Sequence, residues 1–282
     1  MYYYFNKSIR NPTIRDFLFR LIRHVVPKGS VPANIDSEMQ ALLKDGILLW
    51  ERLISAGDVE RIRDYLMTKP VYEVLDIYKK PLDLAVITKV QQVKLKYYDT
   101  DIAHCDDIMR LANDPKILSF ITSYFGCKPT ITLMDAWWTK TAEQATPVLY
   151  QDDMYHRDVA DFKFIKLFLY LTDVTLENGA HCFVRGSHHS SKLVQRRPFA
   201  DNEVDQAFDA ADCLTLTGNA GCGFLEDTWG LHRSLPAKQG ERLVVSITYS
   251  ITAFNPWSPK IPSVDNIYGV DSYINRVYLK KL

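Results

Sequence analysis

The segment around His156 holds the side chains with the clearest capacity for chemistry. His156 and Asp158 are two residues apart, and in an extended strand the side chains at i and i+2 point the same way. An imidazole and a carboxylate on one face are two of the three ligands of the 2-His-1-carboxylate site of non-haem Fe(II) oxygenases. A His-x-Asp match by itself is more often a surface turn or a hydrogen-bonded pair, so a metal site requires a third ligand from elsewhere.

The best candidate for this third ligand is His232, far downstream. Arg242 follows it at the head of a strand-like run, in which Arg242 and Ser246 share one face. An Arg at a strand start is usually part of an exposed ion pair. Its position after His232 favours a second interpretation, in which the Arg242 guanidinium grips a carboxylate as a bidentate fork and Ser246 adds a donor.

The run Phe162–Thr172 predicts a strand with two different faces. We expect its aliphatic face to pack on helices and its aromatic face, which includes Lys166, to look into a barrel. An unpaired buried charge is too costly, so Lys166 is expected either to form an ion pair or to bind an anion. The aliphatic face consists of Ile165, Leu167, Leu169 and Leu171, and the other face of Phe164, Lys166, Phe168 and Tyr170.

Three further histidines, His181, His188 and His189, lie close together in the sequence. A His-rich tract can bind metal, but adjacent residues of an extended chain point to opposite sides. We therefore expect these histidines to be structural or to lie behind the metal ligands.

The composition indicates an ordinary globular protein. The chain has 282 residues, 47% of them hydrophobic and 24% charged, and a formal net charge of zero, which does not fit a nucleic-acid-binding protein. The five cysteines show no Cys-x-x-Cys pattern, and they predict reduced thiols and a cytoplasmic location. The sequence shows neither a signal peptide nor an apolar run long enough for a membrane span, so integral membrane association is not expected.

The first part of the chain predicts helices. One helix begins at Asn11-Pro12, a cap followed by an N1 proline, and others are expected from Asp36 to Gly46, from Ser55 to about Thr68, near Asp101–Ala112 and at Pro115–Phe125. An apolar stripe with a basic opposite face marks the first helix. We favour packing of this stripe on the protein body over the alternative, a helix that lies on an anionic membrane. The stripe consists of Ile14, Phe17, Leu18, Leu21, Ile22 and Val25.

From Thr130 onward the pattern predicts strands separated by turn signals. Antiparallel strands after a helical lead-in indicate a mainly β fold, a cupin-like jelly roll or double-stranded β-helix flanked by α-helices. We expect a single domain with a helical lead-in over 1–129, a jelly-roll core over 130–252 and a tail over 253–282. The predicted strands are Thr130–Thr139, Pro147–Asp158, Phe162–Thr172, His181–Val184, Cys213–Leu216, Gly223–Glu226 and Arg242–Thr252.

In the order and spacing of its motifs, the chain resembles the phytanoyl-CoA dioxygenase family of Fe(II)- and 2-oxoglutarate-dependent oxygenases. The resemblance covers roughly residues 38–252, and it departs from the family at Arg185, where proline is frequent. The pieces that carry it are Asp45-Gly46, Tyr155-His156-Arg157-Asp158, Leu169-Tyr170-Leu171-Thr172-Asp173, Glu177-Asn178-Gly179, Arg185-Gly186-Ser187-His188 and Gly230-Leu231-His232 with Arg242.

The resemblance implies that His156, Asp158 and His232 bind Fe(II) and that Arg242, aided by Ser246, binds the distal carboxylate of 2-oxoglutarate. It further implies that the protein consumes O2 and 2-oxoglutarate, releases succinate and CO2, and oxidises a C–H bond of a small-molecule substrate. Halogenating members lack the carboxylate ligand, so Asp158 favours hydroxylation. Two alternatives stay open: a catalytically silent cupin-like binding protein, and a metal enzyme, such as a Zn(II) hydrolase, that does not use 2-oxoglutarate.

Overall fold

The computed structural model describes residues 2–29, 37–76, 78–84, 93–141, 150–254 and 269–279. This part of the chain contains eight α-helices and ten β-strands. The helices are α1 (Tyr2–Ser8), α2 (Pro12–Ile22), α3 (Ser37–Asp45), α4 (Ala56–Met67), α5 (Asp99–Ala103), α6 (Asp106–Ala112), α7 (Pro115–Phe125) and α8 (Asp201–Ala207).

The strands form two antiparallel sheets. One has seven strands in the order β1-β8-β5-β10-β4-β3-β2, and the other has three in the order β7-β6-β9. The strands are β1 (Ile47–Trp50), β2 (Val71–Glu73), β3 (Val93–Tyr97), β4 (Thr130–Thr141), β5 (Phe164–Tyr170), β6 (His181–Val184), β7 (Cys213–Leu216), β8 (Gly223–Glu226), β9 (His232–Ser234) and β10 (Gly240–Ser250).

The large sheet separates two apolar cores. Its aliphatic face, including Leu167 and Leu169 of β5, packs with residues of the helices. Its aromatic face, including Phe168 and Tyr170, packs with Phe183 of the small sheet. Because side chains alternate along β5, one face of this strand packs in each core. The predicted mainly β jelly roll flanked by helices is confirmed.

Local chemistry explains why several elements begin and end where the sequence predicts. The Asn11 side chain accepts hydrogen bonds from the amides of Thr13 and Ile14 at the start of α2. Ser55 and Asp58 form a capping box that starts α4. Gly46, after α3, has a positive φ of 80°, which suits a helix C-terminus. Asp36, the expected cap of α3, lies outside the described residues.

The predicted strand Pro147–Asp158 is not a continuous strand in its described part. Residues 147–149 lie outside the described residues, and Gln151–Asp153 forms a 3-10 turn. The turn closes because the Asp153 carboxylate accepts the Tyr150 amide at 2.8 Å. After it the chain forms only isolated bridges.

The predicted helix near Asp101–Ala112 is two helices, α5 and α6. The chain leaves the first helix at His104, and α6 begins after Cys105. Five elements of this fold were not predicted from the sequence: the helices α1 and α8 and the short strands β2, β3 and β9.

The expectation that the apolar stripe of α2 packs on the protein body is wrong for much of the helix. Ile14, Phe17, Leu21 and Val25 are 48–85% exposed, whereas Arg15 is buried. Burial of Arg15 is tolerated because its guanidinium donates hydrogen bonds to three backbone carbonyls and lies 4.0 Å above the ring of Trp229. Within the described residues, no helix is both long and apolar enough to cross a membrane.

Candidate metal centre

The fold brings together His156, Asp158 and His232. One ligand-type atom from each lies within 4.8 Å of the other two. The Asp158 carboxylate is 3.7 Å from Nε2 of His156 and 3.5 Å from Nε2 of His232, and the two imidazole rings are 4.3 Å apart. The three side chains converge as a metal-ligand set requires.

Backbone pairing holds the two histidines opposite each other. His156 and His232 form an isolated antiparallel bridge with reciprocal N–H···O distances of 3.0 and 3.1 Å. The Asp158 amide then donates to the carbonyl of Thr228 at 2.9 Å. An isolated β-bridge, and not the predicted regular strand, therefore positions His156 and Asp158 beside His232.

Hydrogen bonds fix the tautomer of both histidines. Nδ1 of His156 is 2.9 Å from the carbonyl of Met154, and Nδ1 of His232 is 3.0 Å from the carbonyl of Gly230. A carbonyl oxygen can only accept, so each Nδ1 carries the proton and each Nε2 keeps its lone pair. This is the arrangement in which a histidine binds a metal through Nε2.

The charges of the site also suit a divalent cation. Burial, and then the neighbouring His232, lower the pKa of His156 to about 4, which keeps that imidazole neutral. Burial acts against ionisation of Asp158, but Lys166 and the two imidazoles hold its pKa well below the usual range. At His232 burial opposes the charged form, but Asp158 raises the pKa of this imidazole. His156 and Asp158 therefore offer imidazole nitrogen and carboxylate oxygen in the forms that bind metal.

Lys166 lies at the same end of the barrel. Its Nζ is 2.6 Å from Oδ2 of Asp158. Of the two roles expected for this lysine, the structure shows the ion pair. The pair anchors the carboxylate that lies between the two histidines.

Arg242, on β10, is fully buried inside the barrel. It donates hydrogen bonds to the carbonyl of Gly179 and, at 3.3 and 3.5 Å, to the hydroxyls of Ser234 and Thr139. Among the described residues its Nε has no partner, and none of the ion pairs there includes Arg242. The groups that hydrogen-bond the guanidinium are thus neutral, and the carboxylates of Asp152 and Asp153 act on it without an ion pair, being paired with Lys94.

Gly179 makes this packing possible. Its φ is +96°, and an added Cβ would lie 3.1 Å from the carbonyl oxygen of Leu235 and 3.7 Å from the guanidinium carbon of Arg242. Any other residue would be strained at this φ, and its Cβ would press on the Leu235 carbonyl oxygen.

The hydroxyls closest to Arg242 were not predicted. Ser246 lies on the same face of β10 and is buried, but the hydroxyls that accept from Arg242 belong to Ser234 and Thr139. Ser234 shares a strand face with His232, two residues earlier, which is a signal the sequence contains. Thr139 is the register partner of Arg242 on β4, and only the sheet reveals it.

A second buried pair lies behind His232. Nε2 of His181 is 2.8 Å from Oε2 of Glu226, and the ring of His181 stacks on that of His232 at 5.7 Å. This agrees with the expected supporting position of His181. Glu226 was not singled out from the sequence.

His188 and His189 lie away from this centre. Both side chains are within hydrogen-bond distance of the carbonyl of Leu43, at 3.3 and 2.9 Å. They connect the turn after β6 to the C-terminal end of α3.

Solved structures of similar fold are Fe- and 2-oxoglutarate-type proteins by their descriptions. HygX from Streptomyces hygroscopicus, with nickel, 2-oxoglutarate and hygromycin B bound, is 16% identical, with a TM-score of 0.54 over 86% of this chain and 97% of that one. The non-heme α-ketoglutarate-dependent carbocyclase SnoK from nogalamycin biosynthesis is 15% identical, with a TM-score of 0.52 over 78% and 87%.

The epimerase SnoN, from the same biosynthesis and also described as α-ketoglutarate dependent, is 17% identical, with a TM-score of 0.51 over 76% and 80%. At such identities the likeness establishes the fold. A comparison with curated proteins finds no significant match.

The sequence profile of the family described as phytanoyl-CoA dioxygenase (PhyH) matches residues 42–238. The match covers more than half of the chain, and it includes the bridge between His156 and His232 and the turn at Gly179. This chain belongs to the phytanoyl-CoA dioxygenase family.

Proposed function

We propose that this protein is an Fe(II)- and 2-oxoglutarate-dependent dioxygenase that hydroxylates a C–H bond of a small-molecule substrate. His156, Asp158 and His232 would hold the iron, and Arg242 would hold the distal carboxylate of 2-oxoglutarate. When bound, iron, 2-oxoglutarate and O2 supply the oxidising power for C–H cleavage, with succinate and CO2 as the other products.

The observation that carries this proposal is the environment of Arg242. A His-Asp-His set also suits Zn(II), so the triad alone does not select the reaction. A fully buried guanidinium without a carboxylate in the described chain is costly unless an anion joins it. Its place in the barrel that holds the triad fits a dicarboxylic acid with one end at the metal.

The surrounding residues support this role. The hydroxyls of Ser234 and Thr139 accept hydrogen bonds from Arg242 and can also donate, through their own protons, to a bound carboxylate. The unpartnered Nε adds one more donor. We retain Ser246, on the same face of β10, as a further candidate donor.

The chain's own residues orient and shield the reacting centre. The carbonyls of Met154 and Gly230 fix the rings of His156 and His232, and Lys166 fixes Asp158. Phe168 and Phe224, stacked at 4.9 Å, pack against the ring of His181 behind His232 and exclude water from that side of the centre. Such preorganisation is the protein's share of cofactor chemistry.

Hydroxylation is the outcome we propose because Asp158 is present and ion-paired at the metal site. SnoN and SnoK are described as an epimerase and a carbocyclase, so proteins of this fold have other outcomes. Incorporation of one ¹⁸O atom from ¹⁸O2 into the product would establish hydroxylation. Unlabelled product of altered configuration or ring number would replace it with one of those outcomes.

The first test needs no substrate. Under anaerobic conditions, Fe(II) and 2-oxoglutarate are added to the metal-free protein, and the visible metal-to-ligand charge-transfer band of the chelate is recorded. We expect the band for the wild type, no band for His232→Ala, and a band for Arg242→Ala only at much higher 2-oxoglutarate concentration.

Arg185→Ala is the matched control, because Arg185 forms a partly exposed ion pair with Asp212 at 3.2 Å. It should give the wild-type band. Stoichiometric Fe(II) binding without a band in the wild type would reject 2-oxoglutarate as co-substrate and favour another metal enzyme. Absence of metal binding would favour a cupin-like binding protein.

A further inference from the structure

A cavity of about 680 Å³ opens directly on the candidate metal centre. His156 and Asp158 line its inner end, together with Lys166. Its volume lies in the range of small-molecule sites. A substrate in this cavity would present one end to the triad and the other to the cavity mouth.

Among the cations that line this cavity are Lys7, Arg10 and Arg196, which we call the basic rim. Lys7 comes from α1, Arg10 from the link between α1 and α2, and Arg196 from the segment before α8. All three line this one cavity, and their charges act on one another: burial followed by Arg196 and Arg10 lowers the pKa of Lys7, and burial followed by Arg196 lowers the pKa of Arg10. The positive charges of the rim therefore repel one another, which is electrostatically unfavourable.

The two arginines of the rim have no acidic partner in the described chain. Arg10 only faces the ring of Trp229, at 5.9 Å, and within the described residues no hydrogen bond or ion pair includes the Arg196 side chain. Their neighbour Arg197, which lines the same cavity, is different because it is bound by Glu203 at 2.5 and 2.9 Å.

The other charged groups of the cavity wall are already engaged. Asp152 is paired with Lys94 at 2.8 Å, and Asp158 with Lys166 at 2.6 Å. Arg157 donates to four backbone carbonyls, those of Ser187, Lys192, Leu193 and Trp229. The basic rim therefore faces a cavity whose carboxylates, Asp152 and Asp158, are each paired with a lysine.

We propose that the basic rim binds a phosphate-type group of the substrate, so that the oxidised compound is a phosphorylated or phosphonate-bearing small molecule. The two guanidinium forks of Arg10 and Arg196 match the oxygens and the charge of nearly −2 of such a group, whereas Arg242 alone serves a carboxylate. The assignment rests on the function proposed above, because it places the C–H bond at the triad when the anion is at the rim.

The test measures binding of inorganic phosphate to protein loaded with Ni(II) and 2-oxoglutarate, which occupy the inner site. Calorimetry is run at constant ionic strength with chloride as the background anion. We expect saturable phosphate binding to the wild type, weakened about tenfold or more by Arg10→Gln and likewise by Arg196→Gln, since each removes charged hydrogen bonds. Arg197→Gln is the matched control and should bind phosphate as the wild type does.

Acetate at the same concentrations tests the chemical class. Acetate binding as tight as phosphate binding would overturn the phosphate assignment, and phosphate binding that is absent or unchanged in both rim variants would overturn the rim as a site. Arg196 is exposed, so its substitution leaves the fold intact and the result readable.

The charge-transfer band separates failure of this inference from failure of the proposed function. If the band forms in wild type and rim variants alike while phosphate binding does not depend on the rim, only the rim proposal fails. If the band does not form in the wild type, the dioxygenase proposal fails, and the substrate assignment that rests on it fails as well.

Discussion

Lys166 and Arg242, two cations inside the same barrel, differ in whether a carboxylate of the described chain pairs with them. Lys166, on β5, has its carboxylate within the chain, because Asp158 binds it at 2.6 Å. Arg242, on the neighbouring strand β10, is fully buried among hydroxyls and a backbone carbonyl and has no acidic partner among the described residues.

The difference separates charges that hold the structure from a charge that, in our proposal, binds a ligand. Burial of an ion is costly unless a counter-charge compensates it. Lys166, like Lys94 and Lys163 elsewhere, is compensated inside the chain. Arg242 is in direct contact with dipoles alone, since Asp152 and Asp153, which act on it electrostatically, are paired with Lys94; in our proposal a bound carboxylate completes its environment.

The largest expected effect is at Arg242. Arg242→Ala should weaken 2-oxoglutarate binding by about 2–5 kcal/mol, the range for loss of one partner of a buried, hydrogen-bonded charge pair. Thermal unfolding gives a second measure: at 100 times Kd, 2-oxoglutarate should stabilise the metal-loaded wild type by about 2.7 kcal/mol and the variant hardly at all. Equal stabilisation of the wild type and of Arg242→Ala by 2-oxoglutarate would contradict the proposed role of Arg242.

Lys166→Met tests the cation that is paired within the chain. Removal of the ammonium leaves the Asp158 carboxylate with less compensation, so the free energy of unfolding of the metal-free protein should fall by about 1–3 kcal/mol. Urea denaturation measures it. Combination with Asp158→Asn should recover part of the loss, because the two residues interact; strictly additive losses would mean that the pair does not stabilise the fold.

The pair of Lys163 and Asp227 extends the comparison to pH. Burial opposes ionisation of Asp227, but Lys163, at 2.8 Å, helps to lower its pKa to about 2. A carboxyl whose folded-state pKa is depressed contributes stability above its unfolded-state pKa of about 4 and loses it as the pH falls toward 2.

Asp227→Asn should therefore lower the free energy of unfolding by about 1–2 kcal/mol at pH 7, and the wild type and the variant should converge between pH 4 and pH 2. Denaturant unfolding over this range measures the difference. A difference that stays constant down to pH 2 would show that Asp227 is not stabilised as an anion.

The smallest expected effect distinguishes the hydroxyls around Arg242. Ser234→Ala should weaken 2-oxoglutarate binding by about 0.5–1.5 kcal/mol, the usual contribution of one hydrogen bond. Ser246→Ala, made in parallel, tests the residue favoured by the sequence. A larger loss for Ser246 than for Ser234 would restore the original assignment of the third donor.

Several parts of the fold could be predicted because their causes are local. Alternation along β5 assigned both faces correctly, and the capping residues Asn11 and Ser55 marked the starts of α2 and α4. The spacing of His156 and Asp158, with His232 and Arg242 later in the chain, selected the residues that the barrel brings together or buries.

Other parts could not be predicted, because they depend on partners distant in the sequence. The periodicity of α2 gave an apolar stripe, but Arg15 is buried against Trp229 and the carbonyl of Asp161, while Phe17 is exposed. The strand predicted around His156 is instead a turn and a bridge, since its shape is set by Lys94 and by the pairing with His232.

The sequence by itself thus determined the fold class, the ligand-type residues and the central cation, since residue type and periodicity are local properties. Only the tertiary structure decided that Lys166 is paired and Arg242 is not, that Ser234 and Thr139 accept hydrogen bonds from the guanidinium, and that Arg10 and Arg196 line one cavity. The physical reason is that the fate of a charge depends on the groups that surround it after folding, and these come from strands and loops far apart in the chain.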